Sequence, residues 1–379
     1  MHRFDDVSWV NTIGTRMPSL SREDIAKVFA KVQGWLAPTP SSSHDASTAD
    51  GLRILNPRMY PGFRSAWQRK LNARWISNCV NQSLGQRKRD EQRIAITTIP
   101  ITADLIRSSG NSYPTLDVDY WIYYCVDDFS QWPGLDVSVM QQLEELQLQR
   151  IEGVVAASTA LAARLQTLQP NRKPAVLTHG IDPAHWRDTV QVELAAELQD
   201  LPRPLFLFWG LLDQRLDTEF CQRLCDSFSE RSKGSLVLLG PQQNPDTAVF
   251  GLPGVHVIGS MPYASLPAFA NQADVLVMPY ADLSVTQQMQ PLKFKEYLAT
   301  GKPVVARKLP SNEGLASTCD LVGDAEQFVE RCWQVAETGA SQEQLRCRDD
   351  LLSTESWATK ADALSDFIRQ VCSNQAAAH

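Results

Sequence analysis

The stretch Pro291-Leu-Lys-Phe-Lys-Glu-Tyr-Leu-Ala-Thr-Gly-Lys-Pro-Val-Val305 carries the densest chemistry in the sequence. Pro291 suits the first position of a helix, which puts Lys293 in the first turn and Glu296 one turn later on the same side. An ammonium at a helix start opposes the helix dipole, so a bound anion accounts for Lys293 better than helix stability does. Glu296 would then accept hydrogen bonds from vicinal ribose hydroxyls. The alternative is a plain i,i+3 surface pair.

A second candidate lies upstream. The apolar run Leu205-Phe-Leu-Phe-Trp209 leads into Gly210, then Asp213 and Arg215, then a helix start near Asp217. In such a strand, glycine turn and helix, the glycine lets backbone N–H groups approach a phosphate. The helix terminus adds a favourable dipole, and Arg215 offers a fixed charge. An ordinary turn with a surface arginine is the alternative. Ser235-Leu-Val-Leu-Leu-Gly-Pro241 and Asp274-Val-Leu-Val-Met-Pro-Tyr280 close two further strands on turns, at the carboxyl ends where ligands of open α/β sheets gather.

In the first half, Asp127 and Asp128 follow the apolar run Trp121 to Val126. Asp128 is the candidate to orient or deprotonate an acceptor hydroxyl, or else it caps the next turn. Asp117-Val-Asp119 spells a metal-binding pattern but precedes its strand, which favours a chance match. His179, before Gly180, could touch a phosphate or pack at a hinge, whereas His185 and His256 carry no partner pattern. Cys221 and Cys225 stand four apart without a second pair or a histidine to complete a metal site, so they read as buried thiols.

The elements that must position these groups alternate. Strands are expected at 7–13, 53–55, 94–98, 121–126, 154–157, 175–178, 205–209, 235–239, 255–258, 275–278 and 303–305. Helices are expected at 21–35, 66–82, 137–149, 159–168, 218–229, 266–271, 292–299, 325–336 and 342–352. The class is α/β, with two Rossmann-like domains. The expected division is a first domain at 1–187, a polar Pro-bearing connection at 188–204, a second domain at 205–355 and a terminal helix at 356–379. Residues 37–51, rich in Pro, Ser, Thr, Ala and Asp, read as a loop that gains too little from burial to order itself.

With 36 basic and 43 acidic residues, the chain has a formal charge of -7 and no uniform positive field for nucleic acid. No apolar run approaches the ~20 residues of a membrane span. Acidic residues in Met-His-Arg-Phe-Asp-Asp make export an unexpected fate, and eight cysteines in 379 residues read as reduced thiols in the cytoplasm.

The ordered set of Gly210, Leu239-Gly240-Pro241, Gly259, Pro279-Tyr280 and Pro291-Leu-Lys-x-x-Glu-Tyr-Leu-Ala-x-Gly-Lys-Pro-Val-Val305 resembles the large retaining, nucleotide-sugar-dependent group of GT-B glycosyltransferases. Tyr123 to Ser130 and Thr178-His-Gly-Ile-Asp182 look like its bacterial cell-surface polysaccharide branch, and Ser356-Trp357 looks like the start of its terminal helix. The resemblance implies two Rossmann-like domains facing across a cleft. By this resemblance Arg215 and Lys293 would hold the donor diphosphate, Glu296 the ribose, and residues 259–263 the base; Gly210 at its turn and His179 before Gly180 stay donor-binding candidates on the residue reading above. Two features depart from the family pattern. Gln288 stands where a glutamate often touches the donor sugar, and the strand at Val7 corresponds to the family's second, as though the first strand-helix unit were missing.

The expected activity is transfer of a sugar from a nucleotide diphosphate to a hydroxyl of a lipid-linked or polysaccharide acceptor. By resemblance it retains configuration, and it requires no cofactor or metal. Peripheral contact with the inner membrane face stays open. A non-catalytic nucleotide-sugar-binding or scaffold protein and a sugar-nucleotide epimerase are the competing readings.

Overall fold

The computed structural model describes Phe4 and residues 6–12, 52–60, 62–106, 115–131, 135–187, 195–288 and 292–376. Ile13, the expected helix at 21–35, the loop at 37–51 and Pro291 lie outside the described residues. The chain divides into two compact units, Met1–Leu177 with Ala363–His379, and Thr178–Asp362.

In the first unit, β1 (Val7–Val10) and β2 (Leu52–Leu55) form a parallel pair. α1 (Ala66–Leu84) follows, then β3 (Ile94–Thr97), β4 (Tyr120–Cys125), α2 (Val137–Leu148), β5 (Gly153–Ala156), α3 (Thr159–Leu168) and the two-residue β6 (Ala175–Val176). β3 to β6 make a second parallel sheet in sequential order. Tyr123, Cys125, Ala156, Met140 and Leu143 meet in its core. α2 and α3 begin where Asp136 and Ser158 accept from the backbone N–H groups of Val139 and Leu161, satisfying donors that a helix start leaves open.

The second unit contains α4 (Pro183–Arg187), β7 (Leu205–Trp209), α5 (Thr218–Arg231), β8 (Ser235–Leu239), β9 (Val255–Ile258), α6 (Leu266–Gln272), β10 (Val275–Met278), α7 (Ser284–Gln288), α8 (Leu292–Ala299), β11 (Val304–Arg307), β12 (Asp320–Val322), α9 (Ala325–Thr338) and α10 (Gln342–Ser353). α11 (Trp357–Ala376) begins in this unit and passes into the first. Six parallel strands lie in the order β12-β11-β10-β7-β8-β9. β7, β8 and β10 are buried at every residue, which is why their sequences are unbroken apolar runs with no alternation. Strand order reverses between β7 and β10, and such a switch point opens a crevice at the carboxyl ends of the strands.

Several short elements escaped the periodicity, among them β12 with three residues, α4 and α7 with five each, and a 3-10 turn at Ala196–Leu198 in the segment read as a connection. Ala195 and Leu198 are buried in the core of the second unit, so that part of the segment packs with the sheet. β6 stops at Val176, earlier than the expected 178, because the chain leaves the ladder to enter the second unit at Thr178. Cys221 and Cys225 are buried on α5 and remain thiols.

Candidate functional site

The crevice is built from glycine turns. Gly210 follows β7 with its N–H bonded to Leu239 O at 2.9 Å, and Gly240 follows β8 with its N–H bonded to Ile258 O at 3.0 Å. The two turns touch so closely that a Cβ at Gly240 would stand 1.8 Å from Gly210 O. A Cβ at Gly210 would meet Lys293 Cε at 3.0 Å. The missing side chains therefore let the two turns nest and let Lys293 lie across Gly210.

Lys293, on the first turn of α8, is partly buried. Among the described residues its ammonium has neither an ion pair nor a hydrogen bond. Burial first, and then repulsion from Arg215, push its pKa below the ordinary lysine value, against the pull of Glu296 and Asp213. Arg215 is fixed by Asp213, whose Oδ1 accepts from Arg215 Nε at 2.9 Å and whose Oδ2 stands 2.9 Å from Nη2. Its guanidinium also lies 5.7 Å from the Tyr280 ring centroid. Two cations thus lie beside two carboxylates: Asp213 holds Arg215 directly, whereas Glu296 acts on Lys293 without an ion pair.

Glu296, one turn along α8, is 8% exposed. Burial raises its pKa, while Trp209, Lys293, Tyr263 and His185 favour the charged form. The buried indole N–H of Trp209 is near enough to stabilise that charge, yet it makes no hydrogen bond of ordinary geometry, and neither does that of Trp186. Trp209 is locked from behind, its backbone N–H donating to Tyr297 Oη at 2.8 Å and the two rings lying 3.9 Å apart. Tyr263, 49% exposed, stacks on His185 at 4.3 Å with rings 10° apart. Burial, with Glu296 beside it, pushes the Tyr263 phenol up to about 12. Gly259 has open space around its Cα. The segment 259–263 thus ends in an aromatic ring beside the Glu296 carboxylate.

His179 is in the same unit, its carbonyl accepting from Lys295 Nζ at 2.7 Å. Gly210, Arg215, Lys293, Glu296 and His179 therefore all belong to the second unit, and the first four are brought together. Asp128 belongs to the first unit. Its Oδ1 accepts from the Ser130 N–H at 3.0 Å and hydroxyl at 2.6 Å, starting the 3-10 turn Phe129–Gln131, and its Oδ2 lies 3.6 Å from Arg164 Nε. Arg164 is itself held by the buried Glu144 at 2.6 Å. Asp117 and Asp119 both bind Arg87, at 2.9 and 2.5 Å, and Asp117 also binds Arg93 at 2.7 Å. Those arginines already supply the charge that a cation would bring.

Asp213, Trp209 and Tyr297 were not singled out as functional from the sequence, and His185 has a partner that its sequence surroundings did not indicate. Asp213 had a legible signal, two residues before Arg215, whereas the His185–Tyr263 stack joins residues far apart in sequence.

Among the described residues, no helix is long and apolar enough to cross a membrane. The family model "Glycosyl transferases group 1" matches residues 203–338, which include Gly210, Arg215, Lys293 and Glu296. A putative teichuronic acid biosynthesis glycosyltransferase TuaH of Bacillus subtilis (strain 168) is 29% identical over 110 residues. That stretch spans 28% of this chain and 28% of the relative. Sucrose-phosphate synthase from Thermosynechococcus elongatus aligns over 97% of this chain and 99% of its own, with a TM-score of 0.63 and 13% identity. WaaG, a glycosyltransferase involved in lipopolysaccharide biosynthesis, aligns over 96% and 99% with a TM-score of 0.57, also at 13% identity. α,α-Trehalose-6-phosphate synthase from Burkholderia multivorans aligns over 97% and 98%, with a TM-score of 0.59 and 14% identity. At such identities the likeness shows the fold, two Rossmann-like domains of GT-B type.

Proposed function

We propose that the chain, whose residues 203–338 match the group 1 glycosyl transferase model, is a GT-B glycosyltransferase that moves a sugar from a nucleotide diphosphate donor to a hydroxyl of a lipid-linked or polysaccharide acceptor. The observation that carries this is Lys293, a partly buried cation beside Arg215 with no ion-pair partner among the described residues, lying across the Gly210 turn at the sheet's switch point. A partly buried ammonium without an ion-pair partner is unfavourable without an anion, and a diphosphate supplies one.

In the reaction the bond from sugar C1 to the diphosphate oxygen breaks, and its electron pair leaves on that oxygen. The acceptor hydroxyl oxygen bonds to C1 and gives up its proton. Lys293 and Arg215 would stabilise the charge on the leaving diphosphate, with the bare Cα of Gly210 giving it room to approach, so this mechanism calls on no metal ion. Glu296 would accept from the ribose hydroxyls, and the base would lie along 259–263 against Tyr263. His179 would contact a donor phosphate. Asp128 would orient or deprotonate the acceptor, with retention at C1. A cytoplasmic site of action, with peripheral contact at the inner membrane face where the acceptor is lipid-linked, completes the proposal.

Calorimetric titration with UDP and GDP, followed by incubation with the corresponding labelled nucleotide sugars, tests this. Binding that Lys293→Ala weakens, with release of nucleotide diphosphate in the presence of an acceptor, is expected. Absence of binding to either nucleotide would exclude the donor-site assignment. Binding without turnover on any acceptor would favour a nucleotide-sugar-binding protein, and interconversion of donor sugars an epimerase.

A further inference from the structure

Lys295 stands between Lys293 and Glu296 on α8 but points elsewhere. It is 7% exposed, and its ammonium uses three donors, to Glu355 Oε2 at 2.5 Å, His179 O at 2.7 Å and Thr178 Oγ1 at 3.2 Å. The Thr178 hydroxyl donates to the same Glu355 Oε2 at 3.0 Å, and Lys360 Nζ donates to Glu355 Oε1 at 2.9 Å. The backbones join as well: Ile181 N–H donates to Glu355 O at 2.8 Å and Trp357 N–H to Ile181 O at 3.0 Å, closing a parallel bridge between Ile181 and Ser356. One carboxylate thus gathers α8, the segment 178–181 and the chain from Glu355 to Lys360. The chain leaves this unit beside that cluster at both ends, before Thr178 and after Asp362.

A buried ion pair contributes little net stability, because desolvation offsets most of its attraction, and an apolar residue of similar volume would do as well at such a position. What an apolar residue could not do is hold a main-chain carbonyl. Lys295 grips the carbonyl of His179, from the same short helix that presents Lys293 and Glu296.

We propose that Lys295 is a positioning residue: paired with Glu355, it fixes the main chain at His179 against α8, so that His179 and Lys293 meet one donor diphosphate together. The proposal rests on the donor-site reading above and adds to it the residues that keep the His179 contact in register.

Affinities for whichever of UDP and GDP the unmodified chain binds, and for the matching nucleoside, test it by calorimetry on the full chain. Lys295→Met is expected to weaken diphosphate binding about ten-fold while nucleoside binding stays within about two-fold. Lys295→Arg, which keeps a cation for Glu355, is expected to retain most of the affinity. The deciding comparison is with His179→Ala. If Lys295 acts through His179, the double variant is no weaker than Lys295→Met alone. Losses that multiply in the double variant, or equal losses for nucleotide and nucleoside, would overturn the proposal. Should Lys295→Met fail to fold, Glu355→Gln carries the same comparisons. An unmodified chain that binds neither nucleotide overturns the donor site itself, an outcome distinct from intact binding with independent effects.

Discussion

The side chain of Lys293 lies over the backbone of Gly210, so that a Cβ added at Gly210 would stand 3.0 Å from Cε and 3.3 Å from Cδ. This contact joins the turn after β7 to the helix that follows β10, the two elements flanking the switch point of the sheet.

The two glycine turns should respond differently to alanine. At Gly210 the obstacles are side chains, the flexible end of Lys293, which can move aside, and the Phe208 ring at 3.1 Å, which need give only slightly, whereas at Gly240 it is the Gly210 carbonyl, 1.8 Å from the new Cβ, which cannot move. Gly240→Ala is expected to destabilise the protein by about 3 kcal/mol or more, and Gly210→Ala by about 1 kcal/mol while weakening nucleotide binding through a displaced Lys293. Thermal and denaturant unfolding check the order. A Gly240→Ala protein as stable as Gly210→Ala would contradict the nesting of the turns.

Lys293→Met should separate binding from stability. Burial and Arg215 lower the lysine pKa in the fold, so between the folded and unfolded values the unfolded chain holds more proton and stability rises with pH. Below that window the charged lysine is a cost to the fold. Its removal is expected to raise stability at neutral pH by about 1 kcal/mol. Nucleotide affinity is expected to fall by about 1.5–3 kcal/mol, the range for a charged hydrogen bond. The unmodified chain should also lose affinity as pH rises through the lowered lysine pKa. Unfolding curves and titrations from pH 7 to 10 measure both, and a less stable Lys293→Met protein would contradict the charge accounting.

Glu296 gives the opposite pH sign. Burial raises its pKa, so the fold holds more proton than the unfolded chain just above the ordinary glutamate value. Stability therefore falls as pH rises through that window. Glu296→Gln is expected to flatten this fall. If the carboxylate receives the ribose hydroxyls, the same variant should also lose most of the preference for a ribonucleotide over its 2′-deoxy form, a difference of about 1–2 kcal/mol. Paired titrations with UDP and 2′-deoxy-UDP, or with the guanine pair, measure it. An undiminished preference would move the ribose away from Glu296.

Much of this unit was legible because its signals are local. The apolar runs of β7, β8 and β10 announce fully buried parallel strands, and Gly210, Lys293 and Glu296 sit at fixed offsets from them. What stayed hidden depends on contacts between distant residues. Lys295 and Glu355 are 60 positions apart, and His179 is 116 from the lysine that grips it, so neither pattern nor spacing could pair them. From sequence Lys293 and Glu296 could equally be a plain i,i+3 surface pair, and nothing in the spacing singled out Lys295. In the fold Lys293 faces a crevice, whereas Lys295 turns to a buried carboxylate. In the first unit, Asp117 and Asp119 resemble metal ligands in sequence but are claimed by Arg87 and Arg93, 24 to 32 residues away.

Asp128 offers the sharpest test of the first unit, because its two possible duties separate on one substitution. Its Oδ1 accepts from the Ser130 N–H and hydroxyl, which starts the turn at Phe129, and an asparagine carbonyl oxygen can do the same. Asparagine cannot take a proton from an acceptor hydroxyl, and it removes the charge that lies 3.6 Å from Arg164. Asp128→Asn is therefore expected to fold with at most about 1 kcal/mol lost, and to bind nucleotide unchanged because the donor residues belong to the other unit. Sugar transfer is expected to fall by about 10²–10⁴-fold, the contribution of a positioned base. Transfer is measured as nucleotide diphosphate released per enzyme at saturating donor, with the affinity of the same preparation as control. Full transfer by Asp128→Asn would leave the residue its turn-forming role alone and send the search for the acceptor base elsewhere in the chain.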